Sequence, residues 1–135
     1  MRSERAKDEG SYMSRRESAV KFLKLASSGN TEEAYAKFIA PDFMHHNQYF
    51  KGDRESLKSA MAEAHATSPN KLFDVKRIFE DGDFVITHSL VVRSKPSDPD
   101  VAVVHIFRFE GDKVVELWDL GQLLSKDSPN ENGAF

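Results

Sequence analysis

The chain has 135 residues, of which 39% are hydrophobic and 30% charged. That is one domain's length, able to bury about two-thirds of its unfolded surface, and the composition is that of a globular rather than a disordered chain. Net charge is −3, from 19 basic and 22 acidic side chains interspersed along the sequence. This argues against nucleic-acid or membrane-surface partners, which need clustered basic charge. The absence of cysteine excludes disulfides, thiolate zinc sites and cysteine nucleophiles.

The opening "MRSERAKDEGSYMS" lacks the apolar core of a signal peptide. No apolar run approaches the roughly 20 residues that span a bilayer. A cytoplasmic protein is expected.

Residues 1–13 are predicted to be a disordered extension, 14–125 a single domain and 126–135 a flexible tail. In "SRRESAVKFLKLASSGN", Ser14 and Glu17 have capping-box spacing. Ala19, Val20, Phe22, Leu23 and Ala26 then make one apolar helical face, which Gly29 ends. "TEEAYAKFIAP" predicts a second, short helix with acids in its first turn and Pro41 at its end. Asp53 can cap a third helix, "RESLKSAMAEAHA", closed by Ser68, Pro69 and Asn70. From Lys71 the apolar period changes to two. "KLFDVKRIFE", "DFVITHSLVVRS", "DVAVVHIFRFE" and "DKVVELWDLGQLL" predict four strands separated by turn-forming stretches. Helices followed by consecutive antiparallel strands predict an α+β domain, with three N-terminal helices packed on a curved, mostly antiparallel sheet.

The strand Val101 to Phe109 is apolar on both faces, apart from His105 on one and Arg108 on the other. Helices cover one face; a second copy of the chain is the simplest cover for the other, which predicts a homodimer.

Polar exceptions on apolar rows mark candidate chemistry. Asp119 is the lone polar group among Val115, Leu117, Gly121 and Leu123. His105 stands alone beside Val103 and Phe107, and His88 among Phe84, Ile86, Leu90 and Val92. Neighbouring strands lie about 4.8 Å apart, so the three can cluster. A buried acid or imidazole needs a partner. One reading is a structural Asp–His pair; the other is a pocket whose apolar walls tune these groups for proton transfer. "MHHNQ" adds His45, His46 and Asn47, of which one histidine can face the pocket and the other cannot. A metal site from His46, His88, His105 and Asp119 has suitable donors, but no H-x-H or H-E-x-x-H spacing supports it, and no metal is expected.

The stretches "SAVKFLKLASSGNTEEAYAKFIAPDFMHHNQYFKGDRESLKSAM" and "HIFRFEGDKVVELWDLGQ" resemble the SnoaL-like polyketide cyclase family of the NTF2-like superfamily. That family often shows a Q-H-N-P-like stretch after the second helix and closes on a D-I-F-R…G-K-I-V-E-H-W-D…Q-like hairpin. The resemblance runs from about residue 18 to 123. It implies a cone-shaped NTF2-like barrel enclosing a pocket, commonly in a dimer. The chain departs from the pattern at His105, Leu117 and Gln48, where the family often has aspartate, histidine and proline, while Asp119 and Gln122 stay in place. Ketosteroid isomerases share the superfamily fold, but their tyrosine and two aspartates match Phe22, Asn47 and His105 here, and none keeps its chemistry.

The resemblance and the lone acid together imply a cofactor-independent enzyme of cyclase, isomerase or lyase type, acting on a small apolar carbonyl-bearing molecule. Asp119 would act as general acid/base and His105 as its partner. His46, Asn47 and His88 would hydrogen-bond the substrate, and Phe22, Phe107 and Leu117 would line the pocket. The alternative is a ligand-binding or dimerising module without turnover, since fold does not fix function.

Overall fold

A computed structural model describes residues 13–135. The extension expected over residues 1–13 therefore lies, Met13 apart, outside the described residues.

Ser14 builds the predicted capping box: its hydroxyl accepts from Glu17 N, and Ser14 N donates to the Glu17 carboxylate. These contacts start α1 (Arg15–Ser27), which buries Ser18, Ala19, Phe22, Leu23 and Ala26 along one face. Gly29, at φ +92°, takes the left-handed turn into α2. Helix α2 (Thr31–Phe38) buries Thr31, Ala34, Tyr35 and Phe38 at helical spacing. It ends three residues before Pro41, and the chain passes directly into a strand, β1 (Ile39–His45), that the sequence does not predict. Asp53 caps α3 (Arg54–Thr67) through the amide and hydroxyl of Ser56.

The four predicted strands follow as β2 (Leu72–Asp81), β3 (Phe84–Val92), β4 (Val101–Glu110) and β5 (Lys113–Leu123). The sheet order is β1-β5-β4-β3-β2; β1 runs parallel to β5 and all other neighbours are antiparallel. Pro41 sits on an edge strand, where its missing N–H breaks no ladder.

The inner face of the sheet carries the core. Phe22, Tyr35, Phe107, Phe109, Leu117, Val85 and Val114 are fully buried. Phe22 meets Tyr35 and Phe107 edge-on, with centroids 5.6 and 6.2 Å apart, the arrangement that the ring quadrupoles favour. Arg15 fastens one end of the domain. Its guanidinium lies 5.5 Å over the Phe109 ring, Nε donates to Gly111 O at 3.0 Å, and a 2.9 Å ion pair reaches Asp83. It thus ties α1 to the β2–β3 and β4–β5 turns. Among the described residues no helix is long and apolar enough to cross a membrane.

Candidate functional site

Register decides which polar groups meet. Thr87 of β3 pairs with His105 of β4, and His105 pairs with Asp119 of β5. These three therefore form one row on the inner face. Ser89, Val103 and Gly121 make the next row. Along β5, Leu117 is 1% exposed and belongs to the core, Asp119 is partly buried, and Leu123 is 62% exposed. The polar band thus lies where the aromatic core gives way to the open end of the sheet.

Four buried polar atoms in this band, Thr87 Oγ1, Ser89 Oγ, His105 Nδ1 and Asp119 Oδ1, have no hydrogen-bond partner among the described residues. Buried polar groups are nearly always paired, so a set of four on one surface calls for a partner. Asp119 Oδ2 is held: Asn47 Nδ2 donates to it at 3.1 Å. The partner of Asp119 is thus Asn47 and not a histidine. The His105 imidazole is pushed down to about 4 by burial, with the opposing field of Asp119 the smaller influence. It is therefore neutral at pH 7.

The structure brings together Asp119, His105 and Asn47 of the residues singled out in the sequence. Phe22, Phe107 and Leu117 are fully buried in the adjoining core, with the Phe107 ring 5.9 Å from His105. His46 and His88 lie elsewhere. His45 pairs with the inward Leu117 and is buried, so His46 emerges on the outer face. There it stacks on Trp118 at 4.7 Å and bonds Glu116 at 2.7 Å. Glu116 also accepts from Arg108, and these two contacts hold its carboxyl below the usual range. His88 pairs with Val104 on the outer face, one residue out of step with Thr87. Its Nδ1 lies 2.7 Å from Arg77, and its ring packs 4.7 Å from Phe135, whose carbonyl accepts from the same arginine. The four residues considered for a metal are therefore split between two faces of the sheet.

Three buried hydroxyls escape a reading that looks for acids and histidines on strands: Thr87 and Ser89 on β3, and Tyr35 on α2. The Tyr35 hydroxyl donates to Met61 Sδ at 3.4 Å. Burial drives its titration far up, Arg54 opposing and Asp119 and Glu55 reinforcing. The signal for Tyr35 was its place on the apolar stripe of α2; for Thr87 and Ser89 it was alternation with Val85 and Val91. A separate recess of about 470 Å³ opens between the β3–β4 connection and residues 124–126, lined by Arg93, Lys95, Asp98, Asp100 and Lys126 among others. It contains none of the band's residues.

A helix-backed, curved mixed sheet with a polar band on its concave inner face defines an NTF2-like protein. The sequence model of the SnoaL-like domain matches residues 19–117, and the chain belongs to that family. Solved structures agree on the fold. IdmH of Streptomyces antibioticus, provisionally assigned as a polyketide cyclase, has 18% identity and a TM-score of 0.69, over 80% of this chain and 91% of its own. A provisionally assigned polyketide cyclase of Acidithiobacillus ferrooxidans has 22% identity and a TM-score of 0.69, over 82% and 90%. An NTF2-like protein of unknown function from Burkholderia xenovorans has 18% identity and a TM-score of 0.66, over 85% and 88%. No curated protein matches the chain significantly.

Proposed function

We propose that this chain is a SnoaL-like enzyme that moves a proton on an apolar, carbonyl-bearing small molecule with its own side chains, in a cyclase-, isomerase- or lyase-type reaction. The observation that carries the reading is the set of four unpartnered buried polar atoms beside an aromatic core. A ligand with an apolar body and two or more oxygens would satisfy them. In the proposed roles Asp119 takes or returns the proton and Asn47 holds its second oxygen. Neutral His105, Thr87 and Ser89 face the substrate oxygens, where fixed donors in a dry site stabilise a developing enolate better than water does. Family membership supports the reading, as do the two provisionally assigned cyclases that share the fold.

A thermal-shift screen of cyclic ketones, lactones and aromatic polyketide-like compounds tests it. At least one class should raise the melting temperature and be converted. No shift with any of them would remove the reading. Thr87→Val adds a directional check. Valine keeps the shape and deletes a buried hydroxyl without a partner among the described residues, so the ligand-free protein should gain about 1 kcal/mol. Binding of the same ligand should weaken. Lower stability of the variant would mean that the hydroxyl is already satisfied.

One observation favours a second reading, ligand binding without turnover: Asp119 bonds an amide rather than a histidine. A ligand that stabilises the protein but is recovered unchanged would support that alternative.

The setting we propose is a cytoplasmic homodimer formed through the outer face. There Leu120 is 59% exposed, and Phe84, Ile106 and Trp118 are partly so. Light scattering should give twice the chain mass; a single-chain mass at all concentrations would refute the dimer.

A further inference from the structure

The loop between β1 and α3 is organised around His45, a buried imidazole to which the roles above assign nothing. Its Nε2 lies 2.6 Å from the carbonyl oxygen of Lys51, and its Nδ1 lies 3.1 Å from the backbone N of Asn47. A carbonyl can only accept and a backbone N–H can only donate. Both contacts are made by one species alone, the neutral ring with its proton on Nε2. The Nδ1–H tautomer would face the Asn47 N–H with a second N–H and leave the Lys51 carbonyl unpaired. The doubly protonated ring would keep the Lys51 contact and lose the one to Asn47.

The side chain of Asn47 is fixed in turn. Its Oδ1 accepts from Tyr49 N at 2.9 Å, which turns the amide nitrogen toward Asp119, and Nδ2 donates to Asp119 Oδ2 at 3.1 Å. Asp119 Oδ1 is thereby the oxygen left for another partner. The loop is closed by His45 N donating to Gly52 O at 3.2 Å and anchored to β5 by His46 N donating to Leu117 O at 3.0 Å. Lys51, His45, Asn47 and Asp119 thus form a continuous chain of contacts, in which His45 holds the backbone of Asn47 and Tyr49 N orients its amide.

We infer that His45 is a positioning residue for Asp119. As the Nε2–H tautomer it pins the backbone of Asn47, and through the Asn47 amide it sets which carboxylate oxygen is left for a partner other than Asn47. The inference concerns the site of the proposed reaction but not turnover, so its test is independent of any substrate.

Two side chains separate the two ring contacts. Asn at position 45 can place its Oδ1 near the site of Nδ1 and accept from Asn47, whereas Gln can place its amide near Nε2 and serve Lys51 alone. Imidazole ¹⁵N spectra of the wild type should show a protonated Nε2 and an unprotonated Nδ1 on His45. The Asn47 side-chain amide protons should exchange about two- to tenfold faster in His45→Gln, the factor expected for loss of one net hydrogen bond. In His45→Asn they should return to near the wild-type rate. The result that overturns the inference is a Nδ1–H tautomer in the wild type, which needs no variant. Unchanged Asn47 amide exchange in a folded His45→Gln protein would overturn it equally. Should His45→Gln fail to fold, the wild-type tautomer and His45→Asn still decide. A failure of these measurements leaves the turnover of Asp119 to be tested on its own, and the reverse holds as well.

Discussion

Asp119→Asn is expected to keep the fold and the ligand, and to lower conversion by about 10²- to 10⁴-fold, the range for loss of a positioned acid or base. That corresponds to about 3–5 kcal/mol of barrier. The structural side of this expectation comes from the Asn47 contact. An asparagine at 119 can still present a carbonyl oxygen to Asn47 Nδ2, so the interaction that holds the side chain survives. What disappears is the group able to exchange a proton. The check is a product assay beside a binding isotherm and a melting curve for both proteins. Equal conversion by the two would mean that Asp119 is not the proton-transfer group. Loss of several degrees of melting temperature together with loss of binding would mean that its role is in packing.

The second large effect is on stability against pH. The His105 imidazole titrates near 6.5 in an unfolded chain and is pushed down to about 4 in the fold, chiefly by burial. Between those values the unfolded chain binds a proton that the folded chain does not. Protonation therefore favours unfolding: stability held above pH 6.5 is lost as pH falls toward 4, and the loss from this group levels off below that. The interval is worth on the order of 3 kcal/mol, a large share of the 5–15 kcal/mol typical of a domain. Denaturant midpoints at pH 7.5, 6 and 4.5 should therefore fall more steeply for the wild type than for His105→Gln, which keeps a polar side chain without the titration. Four other histidines and all the carboxylates are common to both proteins, so the difference in slope isolates His105. Parallel slopes would contradict the burial of a neutral imidazole.

Much of this architecture was written in local patterns. The Ser14–Glu17 cap, the apolar face of α1 and the Asp53 cap are short-range features, and they stand where the spacing put them. The alternation in β4 and β5 brought out His105 and Asp119, which the structure places directly opposite each other. Strand β1 was hidden for physical reasons. Pro41 and Asp42 are poor strand formers, the segment follows α2 with no loop between, and its pairing partner lies more than seventy residues away.

The facing of single residues was the harder problem. Strand β4 is apolar on both sides, so its composition does not say which side is in, and pairing one residue out of step changes the face of a whole neighbouring strand. Thr87 opposite His105 is what sends His88 outward. His45 faces inward because β1 runs alongside β5 with His45 beside Leu117, a long-range pairing that no local pattern in "MHHNQ" contains. The hydroxyls of Thr87 and Ser89 read as ordinary strand residues until the register placed them beside His105 and Val103.

The most direct measurement of the central claim is proton exchange itself. A ketone or related carbonyl compound found to stabilise the protein is dissolved in D₂O with catalytic amounts of enzyme, and the signal of the protons next to its carbonyl is followed by ¹H NMR. Proton transfer by Asp119 predicts that this signal disappears with the wild-type protein and persists with Asp119→Asn at matched occupancy. Persistence of the signal with bound wild-type protein, or equal loss with both proteins, would contradict an acid–base site at Asp119.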